Sequence, residues 1–246
     1  MLYILKMLLS SNEDHKLLTF YSGFTCLYFP VILAFLYISD SLYNIGKYSS
    51  LPILGVIVLL EFTKYVIGIC YVSKRSAFGV RQDERFVFGS TRKNTTKMRI
   101  KEILKCLVVM SVMTVVYFTI VVLFGAEVFS KHEETFMLSM LMCVLTILPA
   151  CLNLGSNSVL TLLFGQKAAN DALWTSLLKN IQITLVGVWL GAFVIPLDWD
   201  RPWQEWPIPC ATGALLGFTA ANIYTLVTML PKMFKKGSNK PSRKQR

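Results

Sequence analysis

The sequence predicts an all-α membrane protein, a six-transmembrane-helix bundle with both termini in the cytosol. The first observation behind this prediction is that 54% of the 246 residues are hydrophobic and only 16% are charged. The second is that the apolar residues occur in runs of about 20, the length that crosses a hydrocarbon core of ~30 Å. The third is that most basic residues, which give a net charge of +11, lie between these runs. A soluble enzyme, a disulfide-rich secreted module and a disordered tail are excluded, and the positive charge indicates membrane orientation before it indicates nucleic acid.

Six apolar runs are predicted to cross the membrane as helices, because each backbone group in lipid must be satisfied inside its own segment. The longest connection, residues 73–102, is too short and too polar to form a domain of its own. We therefore expect one polytopic domain over residues 1–246 that ends in a basic cytosolic tail at 231–246. The predicted spans are residues 17–38, 51–72, 103–124, 135–154, 177–196 and 208–230.

The distribution of basic residues predicts the orientation of the chain. Nineteen of the 25 Lys and Arg residues lie in the N-terminal segment, the second and fourth connections and the C-terminal tail, and only three lie in the first, third and fifth connections. Since Lys and Arg concentrate on the cytosolic side, we expect the three odd-numbered connections to face the lumen. The glycosylation sequon Asn94-Thr95-Thr96 then lies in the cytosol and should stay unmodified.

The second span contains two charges, Glu61 and Lys64, near its middle. Residues three apart share a helix face, so they are predicted to form an intramembrane ion pair. A charge at this depth costs from about 3 kcal/mol upward, which makes such residues candidates for function. Two interpretations stay open: a structural pair that faces the bundle, or part of an ion path in a transporter. An ion path would need further intramembrane charges, so the structural pair is favoured.

The fifth and sixth spans contain small residues four apart, Gly187 with Gly191 and Gly213 with Gly217. Small residues at this spacing let helix backbones approach closely in lipid, where the hydrophobic effect does not drive helices together. The two alternatives are packing of this helical hairpin on itself and docking of a transmembrane helix from a partner. These four glycines are candidate partner-binding residues under the second alternative.

The connection between these two spans, residues 195–209, contains four prolines, three tryptophans, three acids and one arginine. The prolines restrict φ and remove backbone donors, so a stiff, non-helical loop is expected. Tryptophan suits the headgroup layer, and an arginine can hold a turn by bonding a nearby carboxylate. The alternatives are a rigid interfacial turn, a recognition site for a partner or lipid, and a catalytic site. The candidate residues are Asp198, Trp199, Asp200, Arg201, Trp203 and Trp206.

Catalysis is the weakest of these alternatives on sequence grounds. The two histidines, His15 and His132, are isolated from each other and from the loop. No histidine or third ligand lies near enough in sequence to Asp198 and Asp200 for a dedicated metal site, and the chain has no glycine-rich phosphate loop. We therefore expect no catalytic residues, no metal and no cofactor.

The same loop and its surroundings resemble the PIG-F family of glycosylphosphatidylinositol (GPI) anchor biosynthesis. The resemblance covers roughly residues 100–220, and the first 100 residues share with the family only two apolar spans. The segments that carry it are Trp189-Leu190-Gly191-Ala192, the run from Pro196 to Gln204, and Trp206-Pro207.

The resemblance implies a multi-pass protein of the endoplasmic reticulum membrane. It implies a non-catalytic subunit that binds and stabilises the GPI ethanolamine phosphate transferases PIG-O and PIG-G, which add phosphoethanolamine to GPI mannoses. The glycine faces would then pack on the partner's membrane helices, and the loop from Asp198 to Trp206 would brace the lumenal entrance near phosphatidylethanolamine or GPI headgroups. The alternative function is a lipid-handling enzyme or scramblase in which Asp198, Asp200 and Arg201 contact a phosphate headgroup.

Overall fold

The computed structural model describes residues 2–76, 95–127, 129–164, 172–197, 199 and 201–237. It describes the side chains of these residues except 2–16, 69–76, 95–100 and 232–237. Among these residues the regular structure is helical, with no strand. Three short 3₁₀ turns, Ser41–Asn44, Tyr48–Ser50 and Pro202–Gln204, lie in the connections. The α-helices are α1 (Leu2–Ile38), α2 (Leu51–Ser76), α3 (Thr95–Leu123), α4 (His132–Leu154), α5 (Ser156–Leu163), α6 (Ala172–Val194) and α7 (Ile208–Gly237).

Six of the described helices are long and apolar enough to cross a membrane. The prediction of an all-α chain with six such helices is therefore confirmed for this part of the chain, whereas the orientation of the termini stays a prediction. The fifth span begins at Ala172 rather than Leu177, because the buried side chains of Leu173 and Trp174 extend its packed face. The candidate spans are Leu17–Ile38, Tyr48–Gly68, Lys101–Leu123, His132–Leu154, Ala172–Val194 and Ile208–Pro231.

Helix α4 is the central helix of the bundle. Of its most apolar window, 83% is buried, against 17% for α3, and α4 contacts α2, α3, α5, α6 and α7. A helix that is apolar on all sides belongs in the interior. Its first turn contains Glu133 and Glu134, whose negative charge suits the positive end of the helix dipole. It ends at Gly155, whose φ of 81° is a conformation that glycine adopts without steric cost.

The first, third and fifth connections meet at one end of the bundle, which we call the tryptophan-rich end. The backbone N–H of Tyr48, before α2, donates to the Glu133 carboxylate on α4. A Cβ on Gly46 would lie 2.6 Å from Cγ of Pro207 and 3.3 Å from Cγ of Glu134. Gly46 is therefore needed for the close approach of the first connection to the fifth.

Candidate functional site

The four predicted glycines line the contact between α6 and α7 within the chain. A Cβ on Gly187 would overlap the carbonyl oxygen of Gly213, and a Cβ on Gly213 would overlap that of Gly187. A Cβ on Gly217 would lie 2.8 Å from the carbonyl oxygen of Ile183, and one on Gly191 would overlap that of Pro209. A side chain at any of these positions would push the two backbones apart.

This geometry is the first of the two alternatives that the sequence leaves open, since the glycine faces of α6 and α7 are turned towards each other. Close backbone approach of this kind strengthens packing between helices in lipid. The hydroxyls of Ser176 and Thr225 extend the same contact at 3.1 Å, one on each helix. Binding of a partner by these glycines stays a prediction that the geometry does not test.

The loop after α6 is organised around one buried amide, that of Gln204. Its Nε2 donates to the carbonyl oxygens of Val194 at 3.1 Å and Leu197 at 2.6 Å, and its Oε1 accepts from the backbone N–H of Arg201 at 3.1 Å. The Val194 and Leu197 carbonyls also accept from the backbone N–H groups of Leu197 and Trp199, so the amide adds a second bond to each and links the end of α6 to the loop. The 3₁₀ turn Pro202–Gln204 is therefore held closely to α6.

Two further contacts anchor the loop to α4. The Trp206 indole Nε1 donates to the Thr135 hydroxyl at 3.2 Å, and Thr135 is fully buried. Lys131 lies 3.4 Å from Glu205 across the surface. The peptide bond between Trp206 and Pro207 is cis, and Pro207 packs on the first connection at Gly46. The predicted stiff loop is thus tied to its neighbouring connections and to the central helix.

Two tryptophans of the loop remain on its surface. Trp199 is 56% exposed and Trp203 is 38% exposed, and their rings meet edge to face with centroids 5.9 Å apart. The side chain of Arg201 is exposed as well. The predicted residues Asp198 and Asp200 lie outside the described residues. The candidate site is therefore a pair of exposed indoles on a loop whose other side is fixed by hydrogen bonds.

The predicted pair on α2, Glu61 and Lys64, forms a buried polar cluster with α1. Lys64 Nζ lies 2.7 Å from Oε1 and 2.6 Å from Oε2 of Glu61, and Lys64 and Glu61 are 5% and 1% exposed, respectively. Lys64 also donates to the Thr25 hydroxyl at 3.0 Å, and the Tyr28 hydroxyl donates to Glu61 Oε1 at 2.6 Å. The Tyr21 ring lies 5.9 Å from Lys64 Nζ. The charges face inward and join α2 to α1, as the structural interpretation requires.

The sequence did not lead us to predict the α1 residues that contact Glu61 and Lys64, or the role of Gln204 in holding the loop. Tyr21, Thr25 and Tyr28 recur at intervals of four and three on α1, so they share one helix face. That polar face within an apolar run is a signal that a neighbouring span holds buried charges. Gln204 stands out in the sequence only as part of a motif, although an amide among prolines is suited to bond backbone groups.

The described residues contain no cluster of three His, Cys, Asp or Glu side chains that could hold a metal ion. Polar groups there mostly join helices and connections, and the exposed groups are aromatic. The fold and site together define a polytopic membrane protein with an anchored, tryptophan-bearing loop at one end of the bundle.

The family follows from comparison with known sequences. The model of the GPI biosynthesis protein family Pig-F matches residues 14–226, and the chain belongs to this family. The resemblance seen in the sequence is thereby confirmed, and it extends into the first 100 residues.

Relatives from animals and yeast are similar over about half of the chain. The GPI ethanolamine phosphate transferase, stabilizing subunit, of Mus musculus is 34% identical over 135 residues, which is 53% of this chain. The human protein of the same name is 33% identical over 132 residues, and both matches span 60% of the relative's length. Glycosylphosphatidylinositol anchor biosynthesis protein 11 of Yarrowia lipolytica is 36% identical over 120 residues, 48% of this chain and 52% of its own. No solved structure matches the chain.

Proposed function

We propose that this chain is the non-catalytic membrane subunit that binds and stabilises the GPI ethanolamine phosphate transferases PIG-O and PIG-G. The observation that carries the proposal is the family match over residues 14–226, together with the name "stabilizing subunit" given to the mouse and human relatives. The chain resides in the endoplasmic reticulum membrane as a multi-pass protein. Its termini are cytosolic and its tryptophan-rich end is lumenal, as the charge distribution predicts.

The anchored loop at the tryptophan-rich end is the proposed contact for the transferase in the lumen. Tryptophan is enriched among the residues that dominate binding energy at interfaces. Trp199 and Trp203 are exposed, whereas Gln204 and Trp206 hold their loop to α6 and α4. A loop that is ordered before binding loses less conformational entropy when the partner arrives. The exposed indoles are therefore well placed to bind a partner or the lipid headgroups beside it.

The glycines contribute to binding through the hairpin that they build. Because Gly187 and Gly213 approach each other too closely for any side chain between them, a partner helix reaches this hairpin from its outer faces. Glu61 and Lys64 act in the same indirect way, since their charges are buried against α1. In this proposal they hold the bundle in the form that the partner recognises.

The test is co-purification of the transferases with the full chain from mild detergent, comparing Trp203→Ala with wild type. Loss of the indole should lower the amount of transferase recovered by about tenfold or more, the effect of removing a central aromatic contact of about 1.4 kcal/mol or more. The matched control is Phe129→Ala, because Phe129 is a 97% exposed aromatic residue on another connection at the same end.

The outcomes separate the proposed function from its alternative. Full recovery of the transferases with a Trp199→Ala, Trp203→Ala double variant would rule out the loop as the contact. Absence of transferase from the wild-type preparation would contradict the proposed function itself. Turnover of phosphatidylethanolamine or movement of GPI precursors by the purified chain alone would instead favour the lipid-handling enzyme or scramblase. An N-glycan on Asn94 would overturn the orientation.

A further inference from the structure

One face of α6 remains exposed along the whole helix. Its residues recur at intervals of four and three, the period of a seam between two packed helices. We call this face the α6 outer stripe, and it lies away from the glycines that contact α7. Its members, all exposed, are Thr175, Lys179, Gln182, Val186, Trp189 and Phe193.

Gln182 stands at the centre of this stripe and near the centre of the membrane. It lies ten residues after Ala172 and twelve before Val194, so at about 1.5 Å per residue it is roughly 15 Å from one end of α6 and roughly 18 Å from the other. With a hydrocarbon core of ~30 Å, its short side chain cannot reach water. Its amide makes no hydrogen bond to any residue that the structure describes.

Several hydroxyl side chains on the outside of the bundle do not share this problem. The hydroxyls of Thr63, Ser111 and Thr119 are each satisfied by the backbone carbonyl four residues earlier in their own helix, at 2.7 to 2.9 Å. Thr228 does the same in α7. A hydroxyl bonded in this way can face lipid, whereas a free amide in hydrocarbon costs several kcal/mol. The exposure of Gln182 is therefore a different case from that of these hydroxyls.

We propose that the α6 outer stripe is the docking face for one transmembrane helix of the partner subunit. Acyl chains offer the Gln182 amide no donor or acceptor, but a neighbouring helix with a polar side chain does, and such amide bonds join helices in membranes. The partner helix carries a hydrogen-bonding side chain at the bilayer centre, opposite Gln182. It carries an acceptor oxygen about one turn nearer the cytosol, opposite Lys179.

Charge argues against a second copy of this chain as the occupant. Two copies inserted in the same orientation would pair their α6 helices in parallel about a two-fold axis, so each residue would face its own counterpart. Lys179 would then lie against Lys179, and Lys179 makes no ion pair with a described residue that could offset the repulsion. Two like charges in direct contact across a helix pair repel strongly in a medium of low dielectric constant. A different chain with an acceptor at this position avoids that cost.

The stripe also runs directly into the proposed lumenal contact. The rings of Trp189 and Phe193 lie in tilted contact at the end of α6 with centroids 5.8 Å apart, and the loop with Trp199 follows directly after the helix ends at Val194. A partner helix on the stripe would therefore leave the membrane beside the exposed indoles. The inference rests on the proposed function, because it assigns the stripe to a membrane helix of the same transferase.

The experiment places a photo-crosslinking residue at Val186 in the full chain and co-expresses it with the transferase. The matched control places the same residue at Val115 on α3, which is also an exposed valine at membrane depth. An adduct of chain and transferase is expected from position 186 and not from position 115. In parallel, Gln182→Leu should weaken co-purification about threefold to twentyfold, the range expected for loss of one interhelical amide bond.

The apolar substitution separates binding from insertion, because Gln182→Leu makes the span more apolar and should leave the amount of chain in the membrane unchanged. Thr119→Val, which removes an exposed hydroxyl that is already satisfied, should leave co-purification unchanged. A crosslinked species of twice the chain's own mass would overturn the proposal in favour of self-association. Adducts with lipid alone would overturn it in favour of a lipid-facing stripe. If the wild-type chain recovers the transferase and Gln182→Leu recovers it equally, the stripe fails while the proposed function stands.

Discussion

Removal of one charge from the buried pair on α2 should destabilise the protein far more than removal of both. Lys64→Met leaves Glu61, which is 1% exposed, without its counter-charge, and among the described residues only the Tyr28 hydroxyl still donates to it, at 2.6 Å. Breaking a buried pair in this way costs about 3–5 kcal/mol. The double variant Glu61→Gln, Lys64→Met removes both charges, yet the amide introduced at position 61 keeps an oxygen that can accept from Tyr28. Its cost should therefore lie well below that of either single change.

The assay is thermal unfolding of the detergent-solubilised chain, followed by the fraction that stays monodisperse after heating. A double-mutant cycle gives the coupling between the two residues, because it subtracts the effects of the single changes. We expect the double variant to be more stable than Lys64→Met. We also expect it to recover the transferase that the single variant loses in co-purification. If the single variants are as stable as wild type, the pair does not hold α1 to α2. If the double variant is stable but does not recover the transferase, the charges themselves are needed for function, as in the transporter interpretation.

Two further predictions concern the hairpin and its loop. Gly213→Leu should separate α6 from α7, because the leucine side chain would enter the space of the Gly187 carbonyl. The melting temperature and the amount of folded chain should both fall. The control is Gly55→Leu on α2, where a Cβ meets nothing within 4 Å, and it should behave like wild type. Gln204→Leu should destabilise the loop by about 1–3 kcal/mol, because the buried Gln204 amide loses its three hydrogen bonds to the backbone. This is measurable as faster proteolysis between α6 and α7. Glu205→Gln should change little, since its contact with Lys131 is on the surface, and equal proteolysis of the two variants would contradict the role given to Gln204.

The sequence was sufficient to find the spans because the membrane imposes a simple rule on them. An apolar run of membrane length must be a helix, and six such helices are present in the described residues. Helix ends were harder to predict. Ala172 rather than Leu177 begins α6 because Leu173 and Trp174 are buried against neighbours, and burial depends on the whole bundle rather than on the local run.

The sequence was less informative about which face of each helix packs inside the bundle and which face is turned outward. Spacing alone cannot tell whether Gly187 and Gly191 face their own hairpin or a partner, since both arrangements need the same small residues. It also cannot tell that Gln182 faces outward while Asn180, two residues earlier, donates to the Leu145 carbonyl of α4 at 3.1 Å. Two amides so close in sequence have opposite environments because successive helix positions differ by about 100° in direction. Only the packed structure assigns each its side.

The division of α6 into two faces bears on how one helix could serve both the fold and a partner. Its inner face is occupied by the glycines against α7 and by Asn180 against α4, so a helix that binds there would have to displace packing that the bundle itself needs. Its outer face carries an amide that lipid cannot satisfy and that no described residue of this chain satisfies. A partner helix bonded to Gln182 would remove that cost from both proteins at once. Stabilisation would then be mutual: each subunit would be less stable in the membrane alone, and loss of either should lower the level of the other.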